Sequence, residues 1–153
     1  MSLEIERKFL VNSYDYRSSA KSVEINQAYL FIDITMAIRI RIEERQASIN
    51  IKSKKTERTN YEFEYIIPLD EARFLIKMSP YKLIEKTRFT IDHKGKVWEI
   101  DEFHGDNKGL IVAEVELEDE NEKIDLPKWI GKEVTSDLRY LNSNLSKIPF
   151  RSW

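Results

Sequence analysis

From Leu3 to Glu118 the chain alternates between apolar and charged side chains with a period of two, in block after block. Successive side chains of a strand point to opposite faces, whereas a helix repeats every 3.6 residues, so this pattern predicts a chain built mainly of strands. Leu3 to Val11 sets Glu4, Glu6 and Lys8 against Ile5, Arg7 and Phe9, and Glu24 to Asp33 is a second apolar and aromatic run. Ala37 to Glu44 opposes Arg39, Arg41 and Glu43 to Ile38, Ile40 and Ile42. Ser48 to Lys54 opposes Asn50, Lys52 and Lys54 to Ile49 and Ile51, and Asn60 to Ile67 opposes Glu62 and Glu64 to Tyr61, Phe63 and Tyr65. Leu83 to Ile91 carries Lys86 and Arg88. A turn at Asp92-His93-Lys94-Gly95 then leads into Val97 to Phe103 with Glu99 and Asp101. Leu110 to Glu118 closes the series with Glu114, Glu116 and Glu118 against Val115 and Leu117. That is about eight strands, within the usual range for one sheet or barrel.

Two helical stretches interrupt them. Asp70, just after Pro68, can cap a packing helix whose Ala72, Phe74, Leu75 and Met78 keep helical spacing until Pro80. Near the end, Pro127 with Trp129 and Ile130 predicts a short helix, and Ser136 or Asp137 caps another carrying Leu138, Leu141 and Leu145 on one face. At 153 residues, with no linker-like stretch and no solenoid repeat, residues 1–153 read as a single domain. Seventeen aromatics, from 7 Phe, 7 Tyr and 3 Trp, argue against disorder. The absence of cysteine excludes a disulfide scaffold and thiolate sites and suits a reducing, cytoplasmic setting. Short apolar runs exclude a membrane helix or signal core, and a net charge of -2 disfavours a nucleic-acid coat protein.

What stands out is how the charges are distributed. Charged residues make up 34% of the chain, against an average of about 25%, and they are sorted by strand. Arg39 with Arg41, Lys52 with Lys54, and Lys86 with Arg88 are basic pairs; Glu4 with Glu6, Glu62 with Glu64, Glu99 with Asp101, and Glu114 with Glu116 are acidic ones. Residues two apart on a strand lie ~6.6 Å apart on one face, where like charges repel by ~2.5 kcal/mol at an effective dielectric of ~20. Two arrangements accommodate such rows. In one, the charged faces point to solvent around an ordinary sandwich. In the other, a closed antiparallel barrel turns its apolar faces outward under helices and loops and lines a wet interior with charge. Basic strands on one side and acidic strands on the other would then hold a polyanion and its metal ions.

The opening Glu4-Ile5-Glu6-Arg7-Lys8 resembles the E-x-E-x-K signature of the CYTH superfamily, the triphosphate tunnel metalloenzymes. The resemblance continues in order through Gln27-Ala28-Tyr29-Leu30, the pair Arg39 and Arg41, Lys52, the set Arg58, Glu62 and Glu64, and the pair Lys86 and Arg88. Trp98 to Phe103, Gly109-Leu110, Glu114 with Glu116, and Val134-Thr135 with Tyr140 and Asn142 complete it. Ala28 departs from the glycine common there, a matter of local packing. The resemblance implies an α+β protein with a closed eight-stranded antiparallel β-barrel and a few flanking helices. It implies Mg²⁺ or Mn²⁺ held by Glu4, Glu6, Glu114 and Glu116, with Glu62, Glu64 and Asp101 as further ligands. Lys8, Arg39, Arg41, Lys52, Lys54, Arg58, Lys86 and Arg88 would then bind phosphates.

Within the superfamily the chain looks most like the bacterial inorganic triphosphatases. The resemblance carries catalytic roles to Lys8 and Tyr29, with Lys8 as a base if surrounding cations lower its pKa. The expected partner is a small-molecule triphosphate, with neither nucleic acid nor membrane; barrels with exposed apolar patches often pair, so a homodimer stays open. A class IV adenylate cyclase, a thiamine or nucleoside triphosphatase and a non-catalytic polyphosphate sensor are the alternatives. His93 and His104 read as solvated loop residues, and Trp129 and Trp153 as seals of core or interface.

Overall fold

Every predicted strand forms, and the ladders close on themselves. The computed structural model describes residues 1–153. Its strands are β1 (Ser2–Val11), β2 (Lys21–Ile32), β3 (Met36–Glu43), β4 (Gln46–Lys54), β5 (Thr59–Ile67), β6 (Ile84–His93), β7 (Lys96–Phe103), β8 (Ile111–Glu116) and β9 (Ile130–Glu133). Helix α1 (Leu69–Lys77) follows β5, and α2 (Asn142–Leu145) lies near the C-terminus. The order β5-β4-β3-β2-β6-β7-β8-β1 is antiparallel throughout, and β1 returns to β5 with Ser2 opposite Glu62 and Ile5 opposite Thr59. Closure gives each of these eight strands a neighbour on both sides, although the ladder between β1 and β5 stops at Glu62. No helix is long and apolar enough to cross a membrane.

Closure turns strand alternation into an inside and an outside. Outside, Phe9, Trp98, Ile100, Ala113 and Val115 form a core sealed by Tyr16, Leu117 and Trp129. The Trp129 ring meets Trp98 at 5.7 Å and Tyr16 at 5.4 Å between centroids, the edge-on geometry aromatic quadrupoles favour. Elsewhere α1 lays Ala72 on Ile40 and Ala47, with Leu69, Leu75 and Ile76 packed around them. Inside, the lining changes character along the strands. Ile84, Phe103 and Val112 lie two residues from Lys86, Asp101 and Glu114 and so share their face, yet they pack on Leu145 together with Tyr29 and Leu110. The C-terminal segment therefore fills one end of the lumen.

Three local expectations are corrected. Trp129 and Ile130 do not start a helix: β1 extends past β5, and β9 completes its vacant edge at Phe9 and Val11, so ladder pairing overrides the local signal. Pro68, not Asp70, precedes α1, and the buried stripe runs through Ala72 rather than Phe74 and Met78, which are 69% and 63% exposed. Asp137 caps only a 3-10 turn over Leu138–Tyr140, because extended Leu141 separates it from the single turn of α2. The hairpin between β6 and β7 is as expected, with Lys94 and Gly95 at φ of 50° and 81°. That two-residue turn matches the twist of its strands. Gly95→Ala is expected to lower stability by about 1 kcal/mol in urea melts through backbone strain alone, since a Cβ there meets nothing within 4 Å.

Candidate active site

The barrel encloses a cavity of about 550 Å³. Every residue expected to hold metal, bind phosphate or take part in catalysis lines it except Arg58 and Asp101. Strands β3, β4 and β6 supply Arg39, Arg41, Lys52, Lys54, Lys86 and Arg88, while β1, β5 and β8 supply Glu4, Glu6, Glu62, Glu64, Glu114 and Glu116. Lys8 and Tyr29 lie in the same lining.

On the basic side, Lys86 Nζ donates to Asp101 at 2.7 Å and to the Asn142 side-chain oxygen at 2.9 Å. Arg88 grips both oxygens of Asp101 at 2.7 and 2.8 Å and also pairs with Glu99. One buried carboxylate thus faces two cations. Burial, assisted by Arg88 and Arg41, pushes the Lys86 ammonium down to about 7 despite Asp101. Burial with Arg39 and Arg88 likewise lowers Arg41 to about 10. Burial would raise Asp101, but Arg88 and Lys86 outweigh it and hold the carboxyl at about 2.

The acidic side is the mirror case. Glu6 and Glu116 are directly opposed on β1 and β8, as are Lys8 and Glu114. Glu116 is raised by burial and then by Glu4, Glu62 and Glu6. Lys52 reaches Glu4 at 2.5 Å and Glu62 at 3.8 Å, too few cations for the carboxylates around it. Lys8 bridges Glu6 at 2.7 Å and Glu114 at 3.0 Å. Burial alone would lower its ammonium, but Glu114 and Glu6 overcome that and raise it above the ordinary lysine value. The expected lowered lysine is therefore Lys86 and not Lys8, because strand pairing seats Lys8 between carboxylates.

Asp101, expected among the metal ligands, is 1% exposed and committed to Lys86 and Arg88, so it holds the basic wall together. Arg58, expected on phosphate, lies outside the lumen, where its guanidinium donates to the Glu120 carbonyl at 3.1 Å. The turn between β4 and β5 carries it past the β1 edge. Three amides to which the sequence assigned no site role join the charged groups. Gln27 donates to Asn142 at 2.8 Å and accepts from Arg41 at 3.2 Å. Asn50 donates to Glu62 at 2.7 Å and to Glu64 at 3.3 Å. The alternation marks Asn50 as inward, beside Lys52; Asn142 belongs to the family motif, but strand parity says nothing of it, because it arrives from the C-terminal segment.

The acidic donors suit a hard divalent cation: all are carboxylate oxygens, and Glu116 is short of countercharge. No three of them converge on one point as they stand. Cations such as Mg²⁺ commonly take one or two protein carboxylates and complete their shells with phosphate oxygens and water.

A closed antiparallel barrel with an under-compensated basic wall facing an under-compensated acidic one defines a tunnel for a polyanion and its metals. The CYTH domain model matches residues 2–149. An inorganic triphosphatase of Acetivibrio thermocellus is 43% identical over 154 aligned positions, covering 100% of this chain and 99% of that one. A second, of Nitrosomonas europaea, is 34% identical, covering 94% and 96%. The crystal structure of the inorganic triphosphatase NE1496 superposes with a TM-score of 0.70 at 31% identity, covering 95% of each chain. The chain belongs to the CYTH family, whose triphosphate tunnel enzymes are metal-dependent.

Proposed function

We propose that the protein is a metal-dependent hydrolase that cleaves inorganic tripolyphosphate to pyrophosphate and phosphate inside the barrel. The carrying observation is the paired shortage of countercharge: like-charged neighbours help push Lys86 and Arg41 down on one wall and Glu116 up on the other. A polyanion with its cations relieves both at once. Phosphoryl transfer needs positioning and neutralisation more than covalent help, and this lining supplies both.

In this reading Arg39, Arg41, Lys52, Lys54, Lys86 and Arg88 bind phosphate oxygens. Glu4, Glu6, Glu62, Glu64, Glu114 and Glu116 hold Mg²⁺ or Mn²⁺, which would screen the phosphate charge. Lys8, kept as an ammonium by Glu6 and Glu114, contributes charge at the scissile phosphate rather than a base, and Tyr29 stands in the same lining. Water adds to a terminal phosphorus, the bridging P–O bond breaks, and pyrophosphate leaves with its electron pair and takes up the proton that the water loses.

Against a nucleotide substrate, Tyr29 is the only aromatic side chain in the lining and is 4% exposed, so no face is open for a base to stack on. A panel of tripolyphosphate, ATP, GTP and thiamine triphosphate, each with Mg²⁺ and Mn²⁺ and scored by product identity, tests the assignment. Phosphate release greatest from tripolyphosphate is expected; cyclic AMP with pyrophosphate from ATP would replace the hydrolase by a cyclase. Arg41→Ala is expected to raise KM about tenfold with kcat changed little, the signature of a lost binding contact. Steady-state kinetics check it; an unfolded variant would show Arg41 balancing carboxylates structurally.

A further inference from the structure

Three buried polar atoms of lining residues make no hydrogen bond; Glu4 Oε2 still has its countercharge in Lys52 Nζ at 2.5 Å, and the other two are complementary. Arg39 Nε is a donor, Asn50 Oδ1 is an acceptor, and neither makes a hydrogen bond. Their residues are 9% and 1% exposed, line the same cavity, and are directly opposed in the ladder of β3 and β4. The amide cannot resolve the mismatch by flipping. Its nitrogen donates to Glu62 and Glu64, and turning it over would aim the oxygen at two carboxylates. The clamp on the acidic strand therefore fixes the direction in which Oδ1 points. Buried polar groups are almost always satisfied, so an orphaned donor beside an orphaned acceptor calls for a third group.

We infer that Arg39 and Asn50 form a subsite for a single hydroxyl, an O–H that accepts from Arg39 Nε and donates to Asn50 Oδ1. The chemistry is selective. A fully ionised phosphate oxygen satisfies Arg39 but offers no proton to Asn50. A metal ion is repelled by the guanidinium, and an ammonium has no lone pair for it. Two sources supply the required group, an ordered water and a protonated terminal oxygen of the triphosphate; the second rests on the proposed function, whereas the first does not.

Crystal structures of the protein alone and with imidotriphosphate, in which NH replaces the bridging oxygens, test this. In the substrate-free protein one oxygen is expected within about 3.2 Å of both atoms. With the analogue, that oxygen either persists, marking solvent as the source, or is replaced by a terminal phosphoryl oxygen bonded to both atoms, marking the protonated phosphate. A direct Arg39 to Asn50 hydrogen bond overturns the inference, as does a ligand on Arg39 that leaves Oδ1 bare. Arg39→Lys, which keeps the charge and removes Nε, is expected to lose the bridging oxygen and raise KM about fivefold to tenfold with kcat within threefold. Unchanged KM with the oxygen still in place also overturns it. A bridging oxygen in a protein that fails to cleave tripolyphosphate would leave the subsite standing and remove the proposed function.

Discussion

Lys8→Met is expected to lower kcat for tripolyphosphate by about a thousandfold or more, at the upper end of what removing one preorganised charge from an active site does. Lys8 is 6% exposed and bonded to Glu6 and Glu114, so its position is set before substrate arrives. Methionine preserves length and packing but leaves those two carboxylates facing each other in a buried site. The variant should therefore melt lower than the native protein in a chelating buffer and recover much of the difference when Mg²⁺ is added. Thermal melts with and without metal, beside initial rates of phosphate release, check both. Activity within tenfold of native would remove Lys8 from the reaction.

Asp101→Ala should be the most damaging substitution for stability, at about 3–5 kcal/mol, the range for removing one member of a buried ion pair. Lys86 and Asp101 are both 1% exposed, and Arg88 depends on the same carboxylate. The variant leaves two buried cations beside Arg41 without their anion. The native protein carries a matching pH signature. Asp101 and Glu6 are both lowered to about 2, from reference values of 3.8 and 4.5. A depressed carboxyl contributes stability that is complete above its unfolded pKa and lost as pH falls through the folded one. Stability to urea should thus hold down to about pH 4.5 and fall steeply between 4 and 2. Asp101→Ala should start lower and fall less across that window. A variant as stable as the native protein at pH 7 would show that Lys86 and Arg88 are balanced elsewhere.

The residues that were legible in the sequence are those whose role follows from strand parity. Glu4, Glu6 and Lys8 share a face because they alternate with Ile5, Arg7 and Phe9, and the same arithmetic places Arg39 with Arg41, Lys86 with Arg88, and Glu114 with Glu116. Parity also explains the misplacements. Asp101 has the inward parity of Glu99, but its register partner is Arg88, and that pairing turned an expected metal ligand into a structural counter-ion. Arg58 precedes its strand, so no alternation governed it. The direction of the Lys8 shift was illegible for a related reason: its neighbours Glu6 and Glu114 lie on different strands, and only register puts both against one ammonium.

By itself the sequence determined the strands, the sorting of charge into basic and acidic rows, and the family motif that reads those rows as a triphosphate tunnel, because these depend on residue type and a two-residue repeat. Alternation alone could not say whether the rows faced water or one another. The tertiary structure decided that, through the return of β1 to β5, which makes one face of every strand an interior. It also decided which charges are already spent on each other and which remain for a ligand. That balance depends on contacts between residues far apart in the chain, as when Lys86 meets Asn142 across 56 positions.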